Sequence, residues 1–294
     1  MIVTTTPTGQ IGRRLLELLL ADEQTPPLRV IARDPARLAP ATRERVDVVE
    51  GSHTDDAVVH AALDGADAVF WLVPPNPHAE SIQEHVLGFV RPLCAAINRL
   101  DVRRVVAVSS LGRAKAKAAG QISAIFAMDD LVESTGVAYR SLCPPGFMDN
   151  ILWQAAAIRD HGTLFAPVSA DRKVPICATA DIAASAARLL LDDSWSGQEQ
   201  VPVVGPEDLS YNDIAAIISE VLDRPIRFQP LTSGDYKSML TRSGMTAAWA
   251  QGLVDMAEAV ERGIYDGVPR SLSPIAGTSF RSWCESVLKP AMVG

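Results

Sequence analysis

A chain of 294 residues that is 48% hydrophobic and 21% charged can bury a substantial core, as one large domain or one and a half. The formal charge of −8 and a pI near 5.2 speak against nucleic acid or an anionic membrane as partner, because both demand clustered Lys and Arg. Cys94, Cys143, Cys177 and Cys284 lie too far apart in the sequence for a zinc site or a redox dithiol, so no metal is expected. The N-terminus does not read as a secretory leader and no uncharged run reaches membrane-spanning length, which points to a reducing cytosol.

In chain order, Ile2 to Thr6 reads as a strand running into a helix with apolar residues at Ile11, Leu15, Leu18 and Leu19. Strands follow at Leu28 to Ala32 and Val46 to Glu50, and Ala68 to Val73 is the kind of apolar run that a parallel sheet buries on both faces. A long helix from about Ala79 carries Ile82, Val86, Phe89, Val90, Leu93 and Ile97 on one stripe. A strand at Val105 to Val108, a helix near Met128 to Ser134 and a strand at Tyr139 to Leu142 complete the first half. After Pro144-Pro145 the pattern loosens into a helix at Ala180 to Leu191, a strand near Gln200 to Val204, a helix at Tyr211 to Leu222, a strand at Ile226 to Gln229, and helices near 245–262 and 277–287.

This alternation predicts an α/β fold: a Rossmann-type doubly wound parallel sheet over residues 1–150 that binds a dinucleotide, and a smaller α+β substrate-side domain over 151–294 with elements returning to the sheet. Ligands of such sheets lie beyond the carboxyl ends of the strands, so chemistry is sought there.

The first strand ends in Thr6-Pro7-Thr8-Gly9-Gln10-Ile11-Gly12, a turn that opens directly into a helix. Such a turn brings main-chain N–H groups and the positive helix end to a pyrophosphate, Gly9 permitting close contact and Gly12 tight helix packing. Thr6 stands where the first glycine of the pattern usually makes the turn. The second strand ends at Ala32-Arg33-Asp34, where an acidic residue accepts the ribose 2′-OH and an arginine grips a 2′-phosphate; Arg33 favours NADP(H), and Asp34 leaves room for NAD(H). By sheet geometry Gly51-Ser52-His53 borders the adenine and Leu72-Val73-Pro74-Pro75 flanks the ribose nearer the nicotinamide, with His53 an adenine-side or surface residue rather than a catalyst.

With the Thr-Gly-Gln-Ile-Gly turn at 8–12, Ile31-Ala32-Arg33-Asp34-Pro35, Val105-Val106-Ala107-Val108-Ser109-Ser110, Ser134-Thr135-Gly136-Val137-Ala138-Tyr139, Pro145-Gly146-Phe147-Met148-Asp149-Asn150 and Gly205-Pro206-Glu207-Asp208-Leu209-Ser210-Tyr211, the chain resembles the NmrA-like branch of the atypical short-chain dehydrogenase/reductases over nearly its whole length. That branch includes NADPH-dependent quinone and isoflavone-type reductases, enzymes of aromatic natural-product pathways, and redox-sensing regulators that bind cofactor without turnover. The resemblance implies cofactor contacts at Thr8, Gly9, Gln10, Ile11, Arg33, Ser52, Val73 and Pro74, to which the turn and the strand end add Thr6 and Leu72. It places Ser109 and Ser110 near the nicotinamide and Phe147, Met148 and Asn150 toward the substrate; the strand end adds Pro75 and the aromatic, apolar stretch after residue 150 adds Trp153, while Phe147 and Met148 would equally pack a domain junction.

Typical short-chain reductases pair a serine after the fifth strand with a Tyr-x-x-x-Lys on the next helix. Here no tyrosine occurs between residues 1 and 138, and Ile125 occupies the place where many NmrA-like reductases keep a lysine. Ser109, Ser110 and Lys115 remain as catalytic candidates; Lys115 and Lys117 either swing over the nicotinamide or form a solvated basic loop. Without the usual acid, an isolated ketone is a poor acceptor, whereas a reduced quinone leaves a phenolate whose conjugate acid has a pKa of about 10, like tyrosine. The leading expectation is therefore NAD(P)H-dependent reduction of a quinone or polycyclic aromatic, polyketides among them, in a slot drawn from Phe147-Met148, Ile151-Leu152-Trp153 and Trp249, which would serve equally as core. Two alternatives stand beside it: a cofactor-sensing regulator acting through a protein partner, and one component of a multi-enzyme cascade. The expected partners are a small aromatic or quinone substrate and either a second copy of the chain or companion pathway enzymes.

Overall fold

The computed structural model describes residues 1–116 and 118–293; Lys117 lies outside the described residues. The N-terminal half alternates as Ile2–Thr4 (β1), Gln10–Ala21 (α1), Leu28–Ala32 (β2), Pro40–Arg43 (α2), Asp47–Glu50 (β3), Asp56–Leu63 (α3), Ala68–Trp71 (β4), Ile82–Ile97 (α4), Arg104–Val108 (β5), Gln121–Ser134 (α5) and Ala138–Cys143 (β6). There follow Gly146–Phe147 (β7), Ala155–His161 (α6), Thr163–Ala166 (β8), Val174–Cys177 (β9), Thr179–Leu191 (α7) and Gln198–Pro202 (β10). Asp208–Leu209 (β11), Tyr211–Leu222 (α8), Arg227–Pro230 (β12), Ser233–Arg242 (α9), Ala247–Glu261 (α10), Phe280–Trp283 (α11) and Lys289–Val293 (α12) close the chain.

The main sheet has seven parallel strands in the order β10-β6-β5-β4-β1-β2-β3. The chain winds outward from β1 to β3, then returns to start β4 on the other side. The switch point therefore falls between β1 and β4, where Ile2 is in register with both Leu28 and Ala68. Both faces of the sheet are covered. On one, Ile11, Leu15, Leu16 and Leu19 of α1 pack with Ile182, Ala183, Ala186 and Leu190 of α7 over Ile2, Val30 and Phe70. Spacings of three and four residues put those side chains on one helix face, and each fully buried leucine contributes about 2 kcal/mol. On the other, α3, α4 and α5 cover Val3, Val69, Trp71, Val105 and Tyr139.

Residues beyond 150 divide between the sheet and a second lobe. Helix α7 joins α1 on one face and β10 extends the sheet beside β6, so this segment completes the dinucleotide-type fold. The remainder forms a lobe with its own core of Met148, Ile158, Leu164, Ile214, Ile218, Phe280 and Trp283, flanked by a three-stranded sheet β11-β9-β7 and the parallel pair β12-β8. Among the described residues no helix is long and apolar enough to cross a membrane, and no cluster of His, Cys, Asp and Glu could hold a metal ion.

Candidate functional site: a dinucleotide crevice with open and closed ends

At the end of β1 the chain turns through Thr6, which sits at φ 51°, a left-handed conformation unfavourable for a β-branched residue. The turn is nevertheless closed, with Gly9 N donating to the Thr6 carbonyl at 3.0 Å. A Cβ on Gly12 would lie 2.1 Å from that same oxygen, so only glycine lets α1 start this close to the loop. Gly9 caps α1 without any side-chain hydrogen bond, and its first turn carries no acidic residue. The leading amides are thus left to a ligand. Thr8 is half-buried, Gly9 and Gln10 are exposed at the mouth, and Ile11 is buried beneath them.

Arg33 is exposed at the end of β2, and among the described residues its guanidinium has no ion pair or hydrogen bond within the chain. Asp34 is engaged locally: its carboxylate accepts from Ala36 N at 3.0 Å and caps the short turn Pro35–Arg37. The free group at this strand end is therefore the cation. Ser52, half-buried, shares a hydrogen bond with Thr54 at 2.8 Å. Leu72, Val73 and Pro74 are half-buried and Pro75 exposed along the segment leaving β4, tied to β1 by Leu72 N donating to Thr5 Oγ1 at 3.0 Å. These residues ring the carboxyl ends of β1, β2 and β4, where unpaired amides and one unpaired cation fit a dinucleotide phosphate.

The β5 end differs. Ser109 Oγ donates to Asp129 Oδ2 at 2.5 Å, while Tyr139 OH reaches Oδ1 at 2.6 Å and Ser141 Oγ reaches Oδ2 at 3.2 Å. Asp129 is fully buried, and that burial raises its carboxyl above the usual range while the serine and tyrosine hydrogen bonds pull it back. Ser109 thus points into the α5 side of the sheet, away from the crevice. Lys115 is exposed, but its Nζ donates to the Asp266 carbonyl at 2.5 Å, tethering the loop after β5 to the second lobe. Arg113 secures the same loop to α5 through Glu133 and Asp130.

Of the residues expected toward the substrate, Phe147 is half-buried in β7 and Asn150 exposed just after it. Met148 does not reach the crevice: it is 1% exposed and packs in the second lobe's core, because the turn Met148–Gln154 rotates it inward. Asp149 accepts from Thr179 N and Oγ1 at 2.9 and 2.8 Å, anchoring that turn to the start of α7. Ile151 is buried in the same core, whereas Trp153 is 74% exposed. Trp249 is buried against His85 at a ring separation of 6.2 Å.

Sequence reasoning missed Tyr265. It comes from the loop after α10 and lies beside Ser110, sharing a cluster with Leu111, Ile122, Phe126 and Val204. Burial pushes its phenol up to about 12, with the neighbouring Ser110 hydroxyl acting to lower it, so the phenol keeps its proton at neutral pH. A lone tyrosine in Gly263-Ile264-Tyr265-Asp266-Gly267 carries no pattern that would mark it. Tyr265 also lines a cavity of about 320 Å³ with Lys173, Asp208 and Arg270. A larger one of about 530 Å³ lies between α4, α5 and α10, and none of the expected site residues lines it.

Fold and crevice together define a protein that holds a nicotinamide dinucleotide at the carboxyl edge of a parallel sheet. The chain belongs to the family whose model is described as NAD(P)H-binding, matched over residues 7–193. It is an NAD(P)H-dependent oxidoreductase with a Rossmann-like α/β fold. It is 31% identical to the (4-alkanoyl-5-oxo-2,5-dihydrofuran-3-yl)methyl phosphate reductase of Streptomyces griseus over 96% of each chain. It is 27% identical to the NAD(P)H azoreductase of Xenophilus azovorans over 97% of this chain and 96% of that one. Its backbone matches the NADPH complex of quinone oxidoreductase QOR2 from Escherichia coli with a TM-score of 0.81 at 22% identity, covering 96% of this chain and 97% of the other.

Proposed function

We propose that this protein uses NADPH in preference to NADH to reduce a quinone or a similarly flat, conjugated electrophile. The observation that carries this reading is the contrast along the crevice. Its adenosine end offers unpaired phosphate-binding groups, while at its β5 end the serine and the lysine that would manage a strong base are already hydrogen-bonded within the chain. Full-length relatives named as azo-compound, furanone and quinone reductases support reduction over cofactor sensing without turnover.

In this reading Thr8, Gly9, Gln10 and Ile11 receive the pyrophosphate at the start of α1, and Arg33 pairs with the adenosine 2′-phosphate. Thr6, Ser52, Leu72, Val73 and Pro74 shape the walls, while Pro75, Phe147, Asn150 and Trp153 border the acceptor. The bound dinucleotide supplies a hydride. The chain's own residues orient the acceptor, exclude water and manage one proton. Two-electron reduction of a quinone by hydride leaves an oxyanion with a phenol-like conjugate acid, so a neutral phenol such as Tyr265, relayed through Ser110, or water itself can deliver that proton.

Stopped-flow mixing of the NADPH-loaded protein with quinones of graded potential tests the proposal. Cofactor oxidation should follow acceptor potential, and no oxidation above background with any acceptor would end it. Tyr265→Phe should slow quinone turnover by less than about tenfold; a loss of about a hundredfold or more would make Tyr265 an obligatory general acid and argue for a more basic product.

A further inference from the structure

The segment from Leu72 to Pro75 has no regular secondary structure, yet its backbone is held from several sides. Beyond the bond from Leu72 N to Thr5 Oγ1, the Leu72 carbonyl lies 3.1 Å from His53 Nε2 and the Pro74 carbonyl 2.8 Å from His85 Nε2. A carbonyl can only accept, so each Nε2 carries a hydrogen, which fixes the neutral tautomer open to each ring as Nε2–H.

The two imidazoles come from different places: His53 from the loop after β3, His85 from the first turn of α4. Phe89 joins them, its ring 4.5 Å from that of His53 and 5.1 Å from that of His85. Trp71 of β4 meets His53 edge-on at 5.1 Å, and Trp249 of α10 meets His85 at 6.2 Å. His53 is buried and stays neutral, its pKa lowered to about 4 by burial, while His85 is half-buried. Just beyond, the N-cap of α10 grips the same connection: Thr246 N donates to the Pro77 carbonyl at 2.9 Å and its Oγ1 to the Ala79 carbonyl at 2.8 Å.

We propose that His53, Phe89 and His85 form a clamp that positions the dinucleotide. By fixing the Leu72 and Pro74 carbonyls, the two histidines hold the crevice wall in the shape that receives the nicotinamide half, and His85 connects that wall to α10 of the second lobe. They are positioning residues, acting through main chain that they hold rather than on the reacting atoms. The inference rests on the cofactor placement proposed above, extends it to Phe89 and His85, which the turn, the strand ends and the family resemblance leave outside the site, and gives the adenine-side His53 a positioning role. His53 thereby links the adenine-side loop to the nicotinamide side of the switch point.

The test separates the hydrogen bond from the packing. His85→Phe and His53→Phe keep an aromatic ring and remove the donor; His85→Gln and His53→Gln keep an N–H donor. Calorimetry with NADPH, and quinone kinetics at saturating NADPH, should show the His85→Phe dissociation constant raised about five- to tenfold, as expected for one lost hydrogen bond. The quinone KM should stay within about twofold and Tm within about 2 °C of the parent, with Gln recovering most of the loss. Phe variants that bind NADPH as the parent does, or Gln variants no better than Phe, overturn the clamp. A parent that binds no dinucleotide overturns the cofactor placement instead. Long-range ¹H–¹⁵N spectra of the parent histidines do not depend on any variant folding. Nε2–H tautomers at both rings, with His85 shifting on NADPH addition, support the clamp, and an Nδ1–H tautomer at either ring overturns it.

Discussion

At the adenosine end of the crevice the groups that face a ligand are unpaired: the leading amides of α1 have no cap and Arg33 has no carboxylate partner among the described residues. At the β5 end the corresponding groups are occupied, Ser109 by Asp129 and Lys115 by the Asp266 carbonyl, while Tyr265 is buried beside Ser110. One end therefore has electrostatic capacity to spare and can supply affinity. The other has spent its polar groups on internal order, leaving shape and a neutral phenol to act on the acceptor. On the proposed reading, affinity and selectivity for chemistry are carried by different stretches of chain, and each can be perturbed alone.

The largest effect should come from Gly12→Ala. Its methyl would meet the Thr6 carbonyl at 2.1 Å, a backbone atom that cannot rotate away. We expect a loss of about 3 kcal/mol in stability and a fall of about a hundredfold or more in NADPH affinity, read by denaturant unfolding and calorimetry. If affinity survives, the open end does not depend on the tight turn and the contrast between the two ends weakens.

Next is pH. Burial lowers the His53 pKa to about 4 in the folded protein against 6.5 for the solvated ring of the unfolded chain, so the unfolded chain binds its proton first as acid is added. The neutral buried ring is fully tolerated above pH 6.5, and stability is lost as pH falls from there towards 4, by up to about 3 kcal/mol. Thermal melts of the parent should show this slope, and His53→Phe should flatten it. A parent slope unchanged by that substitution would place the acid sensitivity elsewhere.

How much of this was legible in the sequence varies along the chain for physical reasons. β2 and α8 fall where alternation and helical periodicity put them, Leu28–Ala32 and Tyr211–Leu222, because one is an apolar run between turns and the other has a capping box at Ser210 and Asp213. Helix α5 begins at Gln121, well before the expected Met128, because it is apolar on several sides and shows no single stripe. Strands β7 and β11, two residues each, are too short to carry a period. The turn at Thr6, the arginine at Arg33 and the serines at Ser109 and Ser110 stand in local patterns that the sequence displays. Their partners do not: Asp129 meets Ser109 across 20 residues, and Tyr265 meets Ser110 from the far end of the chain. Whether a serine faces a ligand or a buried carboxylate is decided by such distant contacts, which leave no local trace.

Smaller effects sharpen the open end. Arg33→Ala should weaken NADPH binding about ten- to thirtyfold while leaving NADH within about twofold, since only the 2′-phosphate is lost as a charged partner. Equal losses for both cofactors would remove Arg33 from phosphate recognition. The smallest change is expected from Thr6→Gly, which relieves the φ of 51° and removes a buried hydroxyl without a hydrogen-bond partner. Against the added freedom of glycine in the unfolded chain, it should stabilise by about 1 kcal/mol with little change in affinity, measured by paired unfolding and titration.

Strand β10 has a consequence for how the molecule is made. Gln198–Pro202 pairs with Tyr139–Cys143 of β6, so the N–H and C=O groups that this stretch turns outward wait for chain synthesised much later. During synthesis that edge of the sheet stays open until translation passes Pro202, and a fragment stopped soon after Cys143 would leave the outer edge of β6 without its partner strand.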